Sequence, residues 1–289
     1  MPLDQATEAP VFDKLTRSWM LAGQCWDVLM EDPALLIFPL LSFIAIVLLL
    51  ASFALPVWTV HHGIQAALAG APATHTARTL LYAGVYAFYV ISYSIVMFFN
   101  AALVAVAVRR LDGEAASVRD GLQTALSNLP AILGYALIAA TIGAILRFIE
   151  QRVGIIGRIV TAVIGAAWTI ATAMTLPVMV VENVGPAEAI SRSLDLLRRN
   201  WGENLIGSAT ISTGVAIIAV PLCILASCLA RAGMPLGANL LLGVTVFALM
   251  LVSPTLHAIY IAALYRFATG EKGNGGIDRD LLASAFLQK

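Results

Sequence analysis

The sequence predicts an all-α integral membrane protein: a polytopic transmembrane helical bundle of about six spans, with three in-plane amphipathic helices preceding spans 1, 3 and 5. Three observations lead there: a composition poor in charge, long runs free of any charged residue, and amphipathic stripes before alternate runs. Apolar residues make up 60% of the 289 and charged ones 12%, with a mean hydropathy of +0.88. Soluble domains carry about 25% charged residues, so the missing polar surface has to be matched by lipid. The 17 basic and 17 acidic residues cancel, which leaves no concentrated positive surface for a nucleic acid.

In chain order, the first amphipathic helix is expected over about 11–31. Val11, Leu15, Trp19, Ala22, Trp26 and Leu29 recur at helical spacing, and Trp19 and Trp26 suit the headgroup boundary. A charge-free run then gives the first span at about 34–57, and the next gives the second at about 79–108. Ser117 and Asp120 form a capping-box pattern opening an amphipathic helix over 116–129, with Val118, Leu122, Leu126 and Leu129 as its stripe. Spans three and four follow at 130–149 and 157–181. Gly185-Pro186 opens the third amphipathic helix, 186–201, striped by Ile190, Leu194, Leu197 and Trp201. Spans five and six are expected at 204–230 and 236–267. Pro177, Pro221 and Pro254 fall in spans and should break them locally, with neighbouring groups satisfying the freed carbonyls. The chain thus reads as one integral membrane domain of three units, starting near residues 11, 116 and 186.

Basic residues set the expected orientation. The segments holding Lys14, Arg17, Arg109, Arg110, Arg119, Arg192, Arg198, Arg199, Arg266, Lys272, Arg279 and Lys289 outweigh those holding Arg78, Arg147, Arg152, Arg158 and Arg231. Both termini are therefore expected on the cytoplasmic side. Glu150 is placed to offset Arg147 at i, i+3. No cleavable leader is expected, since no short basic segment precedes the first apolar run.

Particular stretches carry a resemblance. Phe99-Asn100-Ala101-Ala102-Leu103 through Arg109-Arg110-Leu111, Asp120-Gly121-Leu122, and Leu129-Pro130-Ala131-Ile132-Leu133-Gly134 look like a family of uncharacterised six-span bacterial membrane proteins. So do Val181-Glu182-Asn183-Val184-Gly185-Pro186, Ser191-Arg192-Ser193 and Trp201-Gly202-Glu203-Asn204-Leu205. The chain is more loosely similar to the membrane domain of some glycerophosphodiester phosphodiesterases, without their catalytic domain. The resemblance implies a bacterial cytoplasmic (inner) membrane protein and no established activity.

The residues offer little chemistry. No Gly-rich phosphate loop, GxSxG or HExxH occurs, and the span interiors hold no Asp, Glu, Lys or Arg, so neither catalysis nor ion coupling is indicated. Cys25, Cys223 and Cys228 are not at zinc-ligand spacing from His61, His62, His75 or His257, and no cofactor or metal is expected. Tyr82, Tyr86, Tyr89, Tyr93 and Asn100 share one face of the second span. Hydroxyls in hydrocarbon want partners, so this face should turn inward, either packing or lining a cavity together with His257. Thr161, Gly165, Trp168, Thr172 and Thr175 form a small-polar stripe on the fourth span, suited to pack against it. Trp19, Trp26, Glu182, Asn183, Arg192, Arg198, Arg199 and Trp201 are the membrane-surface or partner candidates. The expected function is a non-enzymatic component that binds membrane lipids or a protein partner, a second copy or another membrane protein. The alternative is a channel or transporter for a small uncharged or amphipathic solute.

Overall fold

The computed structural model describes residues 23–67, 75–199 and 219–270. Helix α1 (23–31) leads through a 3-10 turn, Pro33–Leu36, into α2 (Ile37–Ala67) and α3 (His75–Leu111). Then come α4 (Val118–Ser127), α5 (Leu129–Arg152), α6 (Gly154–Ala171), α7 (Thr175–Glu182) and α8 (Pro186–Arg199). The apolar helix α9 (Ala219–Arg231) precedes α10 (Pro235–Thr269). No strand occurs among the described residues.

Five stretches among the described residues are long and apolar enough to cross a membrane: Pro33–Phe53, Ala83–Leu111, Leu129–Arg152, Gly157–Glu182 and Pro235–Thr269. Of the span expected at 204–230, only the part within α9 is described; residues 204–218 lie outside the described residues. These helices turn their apolar side chains outward. Only 11% of the most apolar window of α10 is buried, and Leu236, Leu240 and Val244 stand exposed along it. Water would penalise such a surface at roughly 25 cal/mol per Å². Hydrocarbon does not, and the protein is membrane-embedded.

The second span is the axis of the bundle. Along α3, every residue from Ala101 to Val108 is buried, because α2, α4, α5, α7 and α10 all pack on this helix. Alanines at 101, 102, 105 and 107 make that possible, since small side chains let neighbouring backbones close in from all sides.

The amphipathic helices dock on the spans through small residues. The capping box of α4 forms as the sequence predicts, with the Ser117 amide donating to Asp120 Oδ2 at 2.8 Å and the Asp120 amide to Ser117 Oγ at 3.3 Å. The contact face matches the expected stripe only in part: Val118 and Leu122 pack against the core. Gly121 and Ala125 are buried, whereas Leu126 is 58% exposed. A Cβ on Gly121 would stand 2.7 Å from the Ala102 carbonyl oxygen and 2.5 Å from Val106 Cγ2, so only glycine lets α4 lie this close to α3. On α8, Ala189, Ser193, Leu196 and Leu197 are buried; of the expected line, Leu197 is buried and Ile190 packs against the core, while Ala189 and Ser193 add small residues to that face. In α1, Cys25, Val28 and Leu29 turn inward and Trp26 is 41% exposed. The part of the first amphipathic helix before residue 23, with Trp19, and Trp201 at the end of the third lie outside the described residues.

Pro177 breaks the fourth span. Its ring occupies the place of an N–H and crowds the carbonyl four residues back, and the helix is interrupted at Thr172–Met174 between α6 and α7. The break expected at Pro254 does not form: α10 runs through it. Arg147 also departs from expectation, lying over the Tyr89 ring, 5.6 Å from its centroid.

Candidate functional site

Two regions gather polar side chains. The first is a collar at the end of the bundle where α3, α7, α8 and α10 meet. Glu182, the last residue of α7, accepts a hydrogen bond from the Tyr265 hydroxyl of α10 at 3.1 Å and pairs with Arg192 of α8 at 3.5 Å. Asn183 follows in the left-handed conformation (φ 52°) that ends the helix. Its Oδ1 accepts from Asn128 Nδ2, at the α4–α5 junction, at 3.2 Å. Asp32 pairs with Arg110 at 3.0 Å, and Asp112 pairs with Arg266. Glu182, Asn183 and Arg192, expected as surface or partner candidates, thus hold four elements of the fold together. Arg198 is exposed on α8, and the Arg199 side chain lies outside the described residues.

Within this collar Ser193 carries out a task that sequence reading missed. Fully buried, it donates to the Ala171 carbonyl at 2.8 Å and accepts from the Met174 amide at 3.2 Å. It thereby satisfies, from a neighbouring helix, backbone groups that the interruption before Pro177 frees. The signal was present: a serine on the face of α8 that otherwise reads Ala189, Leu196 and Leu197, beside a span containing proline.

The second region is a cavity of about 330 Å³ between α3, α5, the α6–α7 break, α8 and α10. Its walls are mainly apolar, among them Met97, Val104, Leu176, Leu197, Ile261 and Leu264. Tyr93, Asn100, Tyr135, Trp168, Thr172, His257 and Tyr260 also line it, and among the described residues no charged one does. Tyr135 stands within reach of both Tyr93 and Thr172, and the Thr172 hydroxyl donates to the Trp168 carbonyl at 2.9 Å.

The tyrosine face of the second span divides accordingly. Tyr93 and Asn100 reach the cavity and meet His257 there, as well as Trp168 and Thr172 of the small-polar stripe. Tyr86 instead shares a hydrogen bond with Thr141 at 2.9 Å. Tyr89 fits over Gly143, where an added Cβ would meet its hydroxyl at 3.0 Å. The Tyr82 side chain lies outside the described residues. Tyr135 and Tyr260 were not foreseen; Tyr135 is the one tyrosine of α5, and Tyr260 and Tyr265 of α10 lie five residues apart, so neither helix gives a stripe.

Residues 79–276 match a family of unknown function, DUF6159. The chain belongs to this family. The matched stretch of the DUF6159 protein contains the broken span, Ser193 and every residue that lines the cavity. No curated protein and no solved structure matches the DUF6159 chain.

Proposed function

We propose that this DUF6159 protein is a non-enzymatic component of a bacterial inner membrane that binds a lipid inside its helical bundle. In this reading it has six spans, both termini are cytoplasmic, and the collar faces the cytoplasm. The observation that carries it is the cavity: a largely apolar space at span depth, walled by four spans, with Leu197 of α8 also in its lining. A volume of about 330 Å³ falls in the range of small-molecule sites. Apolar walls with a few polar groups suit a molecule that partitions from the bilayer. The rival reading, a channel or transporter, would gain from a continuous polar path along the tyrosine face. Tyr86 is occupied with Thr141, and among the described residues of that face only Tyr93 and Asn100 reach the cavity, which favours binding over conduction.

Native mass spectrometry of the full chain released from lipid nanodiscs tests this. A lipid adduct is expected on the wild type and should be lost when the cavity is filled by Ala258→Phe or narrowed by Thr169→Phe. Identical adducts on all three proteins would overturn the reading. The same spectra report whether a second copy or another membrane protein is bound.

A further inference from the structure

The polar groups in the cavity fall into two sets. Tyr93, Tyr135 and Thr172 lie against one another or against backbone on the α3–α5–α6 side. On the seam between α3 and α10, three groups have hydrogen-bonding capacity in hand. Tyr260 is 3% exposed, and its hydroxyl has no hydrogen-bond partner among the described residues. Asn100 and His257 line the same cavity and make no side-chain hydrogen bond among the described residues. His257 and Tyr260 are three residues apart on α10, hence on one helical face. A buried polar group without a partner costs about 1–3 kcal/mol, so such a group in an apolar cavity points to a ligand atom that completes it.

The chemistry of that atom follows from what surrounds it. A phenol, an amide and a neutral imidazole each both donate and accept, which suits a hydroxyl or a carbonyl. The charged side chains Glu182, Arg192 and Arg266 belong to the collar, and among the described residues no charged side chain lines the cavity. An ionised phosphate or carboxylate would enter without a counter-charge at a steep desolvation cost.

Resting on the lipid-binding reading, we propose that the cavity selects an uncharged, hydroxyl-bearing lipid. Its polar end is held by Tyr260 with Asn100 and His257, and its chain lies along Met97, Leu176 and Ile261.

Quenching of Trp168, which lines the cavity, tests the selection. The full chain, with Trp168 as its sole tryptophan, is placed in phosphatidylcholine nanodiscs and given brominated probes of one chain length. These are a monoacylglycerol, the corresponding fatty acid at alkaline pH, and a phosphatidylcholine. The monoacylglycerol is expected to quench saturably at about a tenfold lower mole fraction than the other two, equivalent to about 1.4 kcal/mol. Tyr260→Phe should bring the three toward equality without abolishing quenching. Equal quenching of the unmodified site by all three probes overturns the selection and leaves lipid binding standing. No quenching by any probe overturns both. If the single-tryptophan chain does not fold, the thermal midpoints of the wild type and Tyr260→Phe with the same lipids give the same comparison: a rise specific to monoacylglycerol, lost in the variant, supports the selection, and its absence overturns it.

Discussion

The hydroxyl of Ser193 sits between Ala171 and Met174, donating to the carbonyl of the first and accepting from the amide of the second. Two helices of different character are joined there, because a side chain of the amphipathic α8 takes the place of backbone bonds that the fourth span cannot make for itself. Ser193→Ala should therefore destabilise by about 2 kcal/mol, the cost of leaving buried backbone groups unpaired. Thermal unfolding in detergent measures this. Pro177→Ala returns the missing N–H, so the serine's contribution should shrink in that background. Equal losses in the two backgrounds would show that the two residues are not coupled.

Gly121→Ala should cost about 1–3 kcal/mol through overpacking of α4 on α3. Trimming Val106 to alanine removes one of the two closest contacts, but the Ala102 carbonyl oxygen remains at 2.7 Å from the new methyl. Backbone yields less than a side chain, so the double variant should recover only part of the loss. Full recovery in a denaturation series would disprove the backbone clash.

Glu182 separates a charge effect from a hydrogen-bond effect. Its pair with Arg192 is partly exposed (44% and 27%), and such pairs contribute less than about 1 kcal/mol. Glu182→Gln keeps an acceptor for Tyr265 and should be mild. Glu182→Ala leaves the buried Tyr265 hydroxyl without that acceptor and should cost about 1–3 kcal/mol. A glutamine variant as unstable as the alanine one would give the larger part to charge.

The capping box of α4 makes stability depend on acid. Hydrogen bonds from the Ser117 side chain, then from its backbone amide, hold the Asp120 carboxyl below the usual carboxylate range, with help from Arg109 and Arg119. A folded-state pKa below the unfolded one means the contribution is complete above the ordinary value of about 3.9 and is lost as pH falls through the depressed one. The gap in unfolding midpoint between the wild type and Asp120→Asn should hold at neutral pH and close in acid. A gap that widened in acid would reverse the sign.

Span positions were legible because hydrocarbon imposes length and excludes charge, and α3, α5 and α10 lie where the runs predict. The inner faces of the amphipathic helices were legible only in part. Hydrophobic periodicity weights large residues, whereas close docking on a span selects small ones: Gly121 and Ala125 on α4, Ala189 and Ser193 on α8, Cys25 on α1. Of the bulky members of the expected stripes, Leu29 and Leu197 are buried, whereas Leu126 and Trp26 are left facing outward. Half of the cavity could be read for a similar reason. Tyr93 and Asn100 repeat on one helix and form a pattern, while Tyr135 and Tyr260 come from two other helices and meet only through tertiary packing.

In the proposed orientation, with the collar on the cytoplasmic side, three of its arginines would have two successive duties. Arg110, Arg192 and Arg266 would be among those whose positive charge retains a loop during insertion, a stage at which acidic neighbours count for little. In the finished bundle the same three are neutralised by Asp32, Glu182 and Asp112. In that reading the charge that orients the nascent chain is paired as the helices assemble, while arginines outside these pairs, such as Arg119 and Arg198, stay exposed.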